Sequence, residues 1–135
     1  MIWAKMRAAL WPQATAEQHE REINGIGGDY WGFLAEVRGA PAGFAEVAIR
    51  NYANGCESQP VPFLEAIWVA PEFRRHGIAA QLLKHVEAFV TARGFREIGS
   101  DADIDNDISH AVHRACGFSE TERVVYFRKK LGERR

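Results

Sequence analysis

The sequence predicts a mixed α/β domain, and three observations lead to this prediction. Segments with helical periodicity alternate with short apolar runs that are typical of strands, in the order α-α-β-β-β-α-β-α-β. A length of 135 residues suits a single domain, residues 1–135, with one sizeable core. The apolar share of 47% and the charged share of 26% are those of an ordinary globular protein.

The composition also narrows the classes of partner. Since no window of 18 apolar residues occurs, we expect no membrane-spanning helix. A formal net charge of −1 argues against nucleic acid as the main partner. Cys56 and Cys116 have neither disulfide-framework nor metal-ligand spacing, so we expect a cytoplasmic protein without a metal centre.

Two helices precede the first predicted strand. Residues 1–11 form the first helix, with an apolar stripe made of Ile2, Trp3, Met6, Ala9 and Leu10. Trp11-Pro12 ends this helix, and Trp11 either plugs the core or offers a flat binding surface. The second helix runs from Ala16 to Ile23, with Thr15 as its N-cap.

A hairpin and a long loop follow. Tyr30 to Val37 and Gly43 to Arg50 are predicted as antiparallel strands that are joined by a turn at residues 38–41. Residues 51–60 form the longest loop, which is either functional or a solvated connector.

The stretch from Phe63 to Ala79 combines a strand, a turn and the start of a helix. Its strand covers residues 63–69, is interrupted by one carboxylate, Glu65, and is followed by Pro71. Arg74-Arg75-His76-Gly77 then leads into the helix. Because the first amides of a helix lack internal partners and carry partial positive charge, this junction suits an anion. An ordinary basic turn is the alternative interpretation.

The next predicted elements are a helix and an acidic strand. The helix runs from Ile78 to a stop at Gly94, with an apolar stripe of Ala79, Leu82, Leu83, Val86, Phe89 and Val90. Residues 97–105 are predicted as a strand, and a regular strand would put Asp101, Asp103 and Asp105 on one face.

The chain is predicted to close with a short helix and a strand. The helix covers Ile108 to Cys116, is capped by Gly117, and turns four apolar side chains inward, those of Ile108, Ala111, Val112 and Ala115. Glu122 to Lys130 is the final strand, and we expect the charged tail, residues 131–135, to fray.

Two motifs together resemble the GNAT superfamily of acetyltransferases. Arg74-x-x-Gly77-x-Ala79 resembles its pyrophosphate turn, and it is neither a Walker A loop nor G-x-G-x-x-G. The helix motif N-x-x-S-x-x-x-H-x-x-x-G-F over residues 106–118 resembles a second signature. Closer still, the loop N-Y-A-N-G-C-E-S, the ending E-T-E-R-V and the string L-W-P resemble aminoglycoside 6′-N-acetyltransferases, which are antibiotic-resistance enzymes.

The resemblance implies a GNAT acyltransferase fold, which has a central, mixed but mostly antiparallel sheet with flanking helices, and it implies acetyl-CoA as cosubstrate. Acetyl-CoA would lie between two splayed strands, bonded by the main chain of Ile67 and Val69. The remaining cofactor-binding residues that it implies are Arg74, Arg75, His76, Gly77, Ile78, Ala79 and Asn106.

The acceptor implied is a cationic amine, which must lose a proton before it attacks. Asp101 matches the aspartate that would bind the amine, and Trp11 and Tyr52 match substrate-site aromatics. Glu65 and Asp101 would together orient and deprotonate the amine. An unpaired carboxylate in an apolar strand is costly, so Glu65 has either this task or a salt bridge to a local arginine. Asp101 is either the amine ligand or a solvated strand end.

Two departures from the family pattern stand out. His113 occupies the position of a tyrosine that many members use as general acid; it either donates a proton or only lines the pocket. The family's first strand is apparently missing, so either it is absent or the start lies upstream. An exposed neighbouring edge would then favour a homodimer.

The resulting expectation is direct transfer of acetyl from acetyl-CoA to an aminoglycoside 6′-amine, because neither cysteine has a base beside it in the sequence pattern. Two alternatives remain open. One is an acetyltransferase for polyamines, small metabolites or peptide amines, and the other is a non-catalytic acetyl-CoA-binding module.

Overall fold

The computed structural model describes residues 1–132. Its helices are α1 (Ile2–Leu10), α2 (Ala16–Asn24), α3 (Ile78–Ala92) and α4 (Asp107–Ala115), and its strands are β1 (Tyr30–Val37), β2 (Ala40–Arg50), β3 (Val61–Val69) and β4 (Gly99–Ser100). A 3-10 turn, Pro71–Phe73, joins β3 to α3. Within this described range no helix has the length and apolarity that crossing a membrane requires. The predicted fraying of the tail concerns residues 133–135 as well, which lie outside the described range.

The four strands form one sheet in the order β1-β2-β3-β4. The first three are antiparallel, and β4 runs parallel to β3. A two-residue turn joins β1 to β2, in which Arg38 and Gly39 both have positive φ, 51° and 81°. This confirms the mixed, mostly antiparallel sheet and the hairpin, although β2 already begins at Ala40.

Helices cover both faces of the sheet. On one face α3 packs Leu82, Leu83 and Val86 against Val47 and Leu64. On the other face Met6 of α1 meets Phe44 and Ala66. The predicted stripe of α3 therefore faces the core, as expected for an amphipathic helix.

A β-bulge at Glu65 distributes β3 between these two layers. Glu46 pairs with Ala66 and Val47 pairs with Leu64, so Glu65 has no partner in β2. The extra residue lets Leu64 and Ile67 both pack toward α3, while Ala66 lies on the α1 side. The bulge thus accommodates Glu65, the one carboxylate in this otherwise apolar strand, at the position that has no partner in β2.

The helices before the sheet follow the prediction in position but not in every contact. Thr15 and Gln18 form a capping box at the start of α2. In α1, however, Ile2 is 47% exposed and Arg7 is buried. Arg7 is inside because its Nε lies 2.9 Å from a carboxylate oxygen of the buried Glu46, and an ion partner offsets the cost of burying its charge.

The part of the chain beyond Ser100 departs most from the prediction. The acidic strand is only Gly99–Ser100, so Asp101, Asp103 and Asp105 do not share a strand face. The predicted final strand, Glu122 to Lys130, has no strand structure. A strand requires a neighbour for its main-chain groups, and no element within residues 1–132 pairs with this segment.

The predicted inward face of α4 is also wrong. Ile108 is 81% exposed and Ala111 and Ala115 are exposed, because no described element packs over them. Gly117, with φ of +92°, follows the helix as expected of a C-terminal glycine.

Candidate active site

A cavity of about 340 Å³ lies where β3 and β4 stop pairing. We call it the strand-end cavity, and we call Ser119–Leu131 the C-terminal arm. The cavity is lined by Arg50 and Phe63 from the sheet, Ser100 and Asp101 at the end of β4, His113 of α4, and the arm residues Glu120, Glu122 and Tyr126. It therefore combines carboxylates, guanidinium groups, two histidines and aromatic rings, and its carboxylates can bind a cationic group.

The free edge of β3 leads from this cavity toward the start of α3. β4 pairs with β3 only at Phe63 and Leu64, so among the described residues nothing bonds to this edge from Glu65 to Ile67. At the far end, the Nε of Arg74 donates to the main-chain oxygen of Val69 at 2.9 Å. Such an edge can bond an extended ligand as a further strand would.

The start of α3 is open to a ligand. Gly77 is the N-cap, with φ of +77°, and a Cβ built on it would meet no atom within 4 Å. Arg75 also has positive φ, 67°. Gly77 has no side chain to cap the helix, so the first amides of this 15-residue helix are available to an anion.

Glu65 does have the salt bridge that the sequence left as one of two interpretations. Its two carboxylate oxygens accept from Arg50 Nε at 2.8 Å and from Arg50 Nη2 at 2.7 Å. The guanidinium lies 3.7 Å from the centroid of the Phe63 ring. The hydrogen bonding to Glu65 raises the pKa of Arg50. The sequence did not identify Arg50 as the partner of Glu65. The only signal for it was the position of Arg50 at the end of the predicted neighbouring strand.

Asp101 and Asp103 are exposed and line the strand-end cavity, whereas Asp105 does not. Among residues 1–132 the lining also includes neither Trp11 nor Tyr52. Tyr52 is 65% exposed. The structure therefore brings Asp101 and His113 to one cavity and leaves the two predicted aromatics outside it.

Trp11 has features of both interpretations left open above. Its ring packs edge-on against Phe44 with centroids 6.5 Å apart, and the Arg7 guanidinium lies 5.0 Å from its centroid. His19 Nε2 lies 3.1 Å from the Trp11 carbonyl oxygen. The residue is half-buried, so it is anchored to the core while part of its ring remains accessible.

His113 is fixed at both ring nitrogens. Nδ1 lies 2.7 Å from the main-chain oxygen of Ser109, and Nε2 lies 2.8 Å from Ser100 Oγ. Its ring also meets Phe118 edge-on, with centroids 5.2 Å apart. His113 lines the strand-end cavity. Ser100 was not predicted as a site residue, since its partner is visible only once β4 and α4 are in place.

Asn106, one of the predicted cofactor residues, caps α4. Its Oδ1 accepts from the Ser109 amide at 3.0 Å. This bond fixes the start of the helix that carries His113.

The long loop 51–60 is tied to the sheet by Glu97. Its carboxylate accepts from the amides of Ser58, at 2.8 Å, and Glu57, at 3.0 Å. The hydrogen bonds from Ser58 and then Glu57 lower the pKa of Glu97. The loop that carries Tyr52 is thus held by an ionised carboxylate.

The two cysteines are free thiols. Burial raises the pKa of Cys56 and, likewise, that of Cys116. Because the thiolate is the reactive form, neither residue is prepared to act as a nucleophile.

A family model described as the acetyltransferase (GNAT) family matches residues 2–118. The chain belongs to this family. The predicted superfamily and fold are therefore confirmed.

Among its relatives are aminoglycoside N(6')-acetyltransferases of type 1. The one from Serratia marcescens is 46% identical over 134 residues, covering 96% of this chain and 92% of that protein. The one from Stenotrophomonas maltophilia is 44% identical, covering 96% and 86%. The predicted resemblance to this group is confirmed.

Solved structures of aminoglycoside 6′-N-acetyltransferases are also similar to this chain. AAC(6')-Iy in complex with the bisubstrate analog CoA-S-monomethyl-acetylneamine is 42% identical, with a TM-score of 0.89 over 96% of this chain and 90% of that one. The apo structure of AAC(6')-IG from Acinetobacter haemolyticus is 39% identical, with a TM-score of 0.90 over 97% and 92%.

Proposed function

We propose that this chain is an aminoglycoside 6′-N-acetyltransferase that uses acetyl-CoA as cosubstrate and thereby confers resistance. One observation carries the proposal: the edge of β3 that is unpaired among the described residues links a carboxylate-bearing cavity at one end to an open helix start at the other. The pyrophosphate of a nucleotide-linked thioester needs an open helix start, and a cationic amine needs carboxylates. The strand edge between them suits the arm of the thioester. Relatives of 46% and 44% identity carry this activity in their names.

The acetyl-CoA side consists of the free strand edge and the start of α3. The open space at Gly77 fits a close approach by pyrophosphate, and the amides of Arg75 to Ala79 are its donors. His76 is exposed on the same turn. Ile67 and Val69 offer main-chain groups to the pantetheine arm, although the Val69 oxygen first has to be shared with or released by Arg74. Asn106 contributes by fixing α4.

The amine side centres on Asp101. This exposed carboxylate lines the strand-end cavity without a salt bridge of its own among the described residues, so it is available to bind the ammonium group and to receive its proton. Glu65 is held by Arg50 through one lone pair on each oxygen, which leaves further lone pairs for the amine or a bridging water. Trp11 and Tyr52 form outer walls for the sugar rings.

The transfer is direct, from the thioester to the amine. The protonated, poorly nucleophilic thiols of Cys56 and Cys116 support this route over an acetyl-cysteine intermediate. His113 acts in proton transfer during the same step.

The working form is a cytoplasmic homodimer of single-domain chains. The C-terminal arm supports the dimer because Val125, Tyr126 and Phe127 are 77%, 80% and 91% exposed. A run of apolar side chains this exposed marks an interaction surface. The arm also lines the strand-end cavity, so a second copy that covered the arm would complete the amine side. Two free thiols suit a reducing compartment.

The proposal is tested by following CoA release with kanamycin and tobramycin as acceptors, beside spermidine and N-terminal peptides. We expect turnover with the aminoglycosides and acetylation at the 6′-amine. Turnover confined to spermidine or peptides would show that the substrate is another class of amine, which the cavity carboxylates could also bind. Acetyl-CoA binding in a calorimeter without turnover of any amine would instead identify a binding module.

A further inference from the structure

We propose that Ser100 and His113 form a proton relay for the acetyl transfer, with Ser100 as the residue that meets the reacting groups. The inference rests on the proposed function. It assigns a role to a serine that lies beside the predicted Asp101, and it gives His113 a defined protonation pattern.

The hydrogen bonds determine which nitrogen of His113 carries the proton. The main-chain oxygen of Ser109 can only accept, so at 2.7 Å it requires a proton on Nδ1. In the neutral ring Nε2 is then an acceptor, and the Ser100 hydroxyl donates to it at 2.8 Å. The alternative acceptor for that hydroxyl, the main-chain oxygen of Leu64, is farther away at 3.3 Å.

This is the arrangement of a hydroxyl group, a base and a group that orients the base. Its orienting group is a helix carbonyl, which fixes the tautomer without adding charge. The Asn106 cap holds the same turn of α4 in place. The base is therefore aligned in the absence of ligand.

The position of Ser100 suits a role at the reacting centre. Leu64 and Ser100 are the last paired residues of β3 and β4. β4 ends at Ser100, whereas β3 continues past the bulge at Glu65. Ser100, Asp101 and His113 all line the strand-end cavity. The relay thus begins where β4 ends. From this point the free edge of β3 leads toward the open start of α3.

The relay moves one proton from the amine nitrogen to the departing sulfur. Asp101 first receives the proton that makes the ammonium group a neutral amine. As the C–N bond forms, Ser100 Oγ takes a second proton from nitrogen and passes its own to His113 Nε2. As the C–S bond breaks, Nε2 returns that proton through Ser100 to the thiolate. The products are an amide and a thiol, Ser100 and His113 regain their initial states, and Asp101 releases the first proton to solvent.

Several charged groups face His113 around the same cavity. Arg50 faces it from β2, Asp101 and Asp103 from the end of β4, and His110 and Arg114 from its own helix. The arm adds Glu120, Glu122 and Arg123. Because carboxylates and guanidinium groups are both present, the pKa of His113 has to be measured, by NMR titration, before the pH profile of kcat is interpreted.

The kinetic test compares Ser100→Ala with Ser100→Thr. We expect Ser100→Ala to lower kcat by about 100-fold, the usual contribution of acid–base catalysis, while the KM for acetyl-CoA stays unchanged. Ser100→Thr keeps the hydroxyl and should restore most of kcat. Since His113 accepts a proton as a base, kcat in the wild type should rise with pH through the His113 pKa, and both Ser100→Ala and His113→Gln should lose that limb. Equal kcat in Ser100→Ala and the wild type would overturn the relay.

A second test needs no turnover. Proton–nitrogen NMR spectra of the histidine rings in the ligand-free wild type should assign the neutral His113 to the Nδ1–H tautomer. In Ser100→Ala the Nε2 signal should shift as its donor is lost, with Nδ1 unchanged. A neutral Nε2–H tautomer in the wild type would contradict the inference. If the wild type acetylates no aminoglycoside but the tautomer is as expected, the proposed substrate is wrong and the Ser100–His113 pair stands.

Discussion

Residues 1–100 contain a buried core, whereas residues 101–132 contain no buried side chain. Every buried side chain of the described chain belongs to the first region, and none belongs to the second. The first region contains the free edge of β3 and the open start of α3, both supported by the packing of α3 on the sheet. The second contains Asp101, His113 and the C-terminal arm. The proposed acetyl-CoA side is therefore supported by packed elements, whereas the proposed amine side lies largely on an exposed surface.

This difference separates two ways in which a site can be fixed. Leu82, Leu83 and Val86 hold the start of α3 in place through apolar packing, which is insensitive to ligand and to pH. Ser100, Ser109 and Asn106 hold His113 and α4 through a few hydrogen bonds. Changes at the start of α3 should thus affect cofactor binding strongly, and changes around Asp101 and His113 should affect acceptor use.

The largest effect is expected for Gly77→Val. A β-branched residue is strained at φ of +77°, and its side chain would fill the space that faces the pyrophosphate. We expect acetyl-CoA binding to be lost in titration calorimetry. The control is Gly94→Val, because Gly94 has φ of +90° and open space too but lies beyond the other end of α3. If Gly94→Val also abolished binding, backbone strain would be responsible, and not the filling of the open space at Gly77.

The next effect concerns Asp101→Asn. Loss of the carboxylate removes both the attraction for the ammonium group and the proton acceptor, so we expect aminoglycoside kcat/KM to fall by about 100-fold. Asp105→Asn is the matched control, since Asp105 is exposed but does not line the cavity. Equal losses in the two variants would mean that only the overall negative charge of residues 101–105 matters.

A smaller, assembly-dependent effect is expected for Phe127→Asp. If the arm forms the dimer contact, this change should produce monomers in analytical ultracentrifugation and raise the KM for aminoglycosides. Leu34→Asp tests the other candidate surface, since Leu34 is 50% exposed on the edge strand β1. Monomers from Leu34→Asp and dimers from Phe127→Asp would move the interface to the β1 edge of the sheet.

The mildest effect is expected for Glu97→Gln. The pKa of Glu97 is lowered in the folded protein, so its contribution to stability is present above its unfolded pKa of about 4.5 and is lost as pH falls through the folded value. The variant should loosen loop 51–60 and raise the aminoglycoside KM by a few-fold at neutral pH. Its thermal stability should fall less than that of the wild type between neutral pH and about pH 3. The same acid-induced loss in both proteins would exclude Glu97 as the clamp.

The features that the sequence predicted well are those with local causes. The Thr15 cap, the stop at Trp11-Pro12, and the apolar stripe of α3 depend on neighbours within a few residues, and all are present in the structure. The turn before Gly77 was also predictable, because the change from strand to helical periodicity is visible in the letters.

The rest depended on contacts between distant segments. The Arg50–Glu65 pair requires the register of β2 on β3 and the bulge, and the Ser100–His113 bond requires knowing that β4 ends at Ser100. The final strand was wrongly predicted because the β character of Val124 to Phe127 has no neighbour to pair with in the described part of the chain. Strand formation is decided by the partner as much as by the segment.

Acetyl-CoA titration of Asp101→Asn tests the division into two substrate regions most directly. We expect an acetyl-CoA dissociation constant equal to that of the wild type, together with the loss of aminoglycoside turnover. Weakening of acetyl-CoA binding to the extent seen in Gly77→Val would contradict it, because the two residues would then serve one and the same subsite.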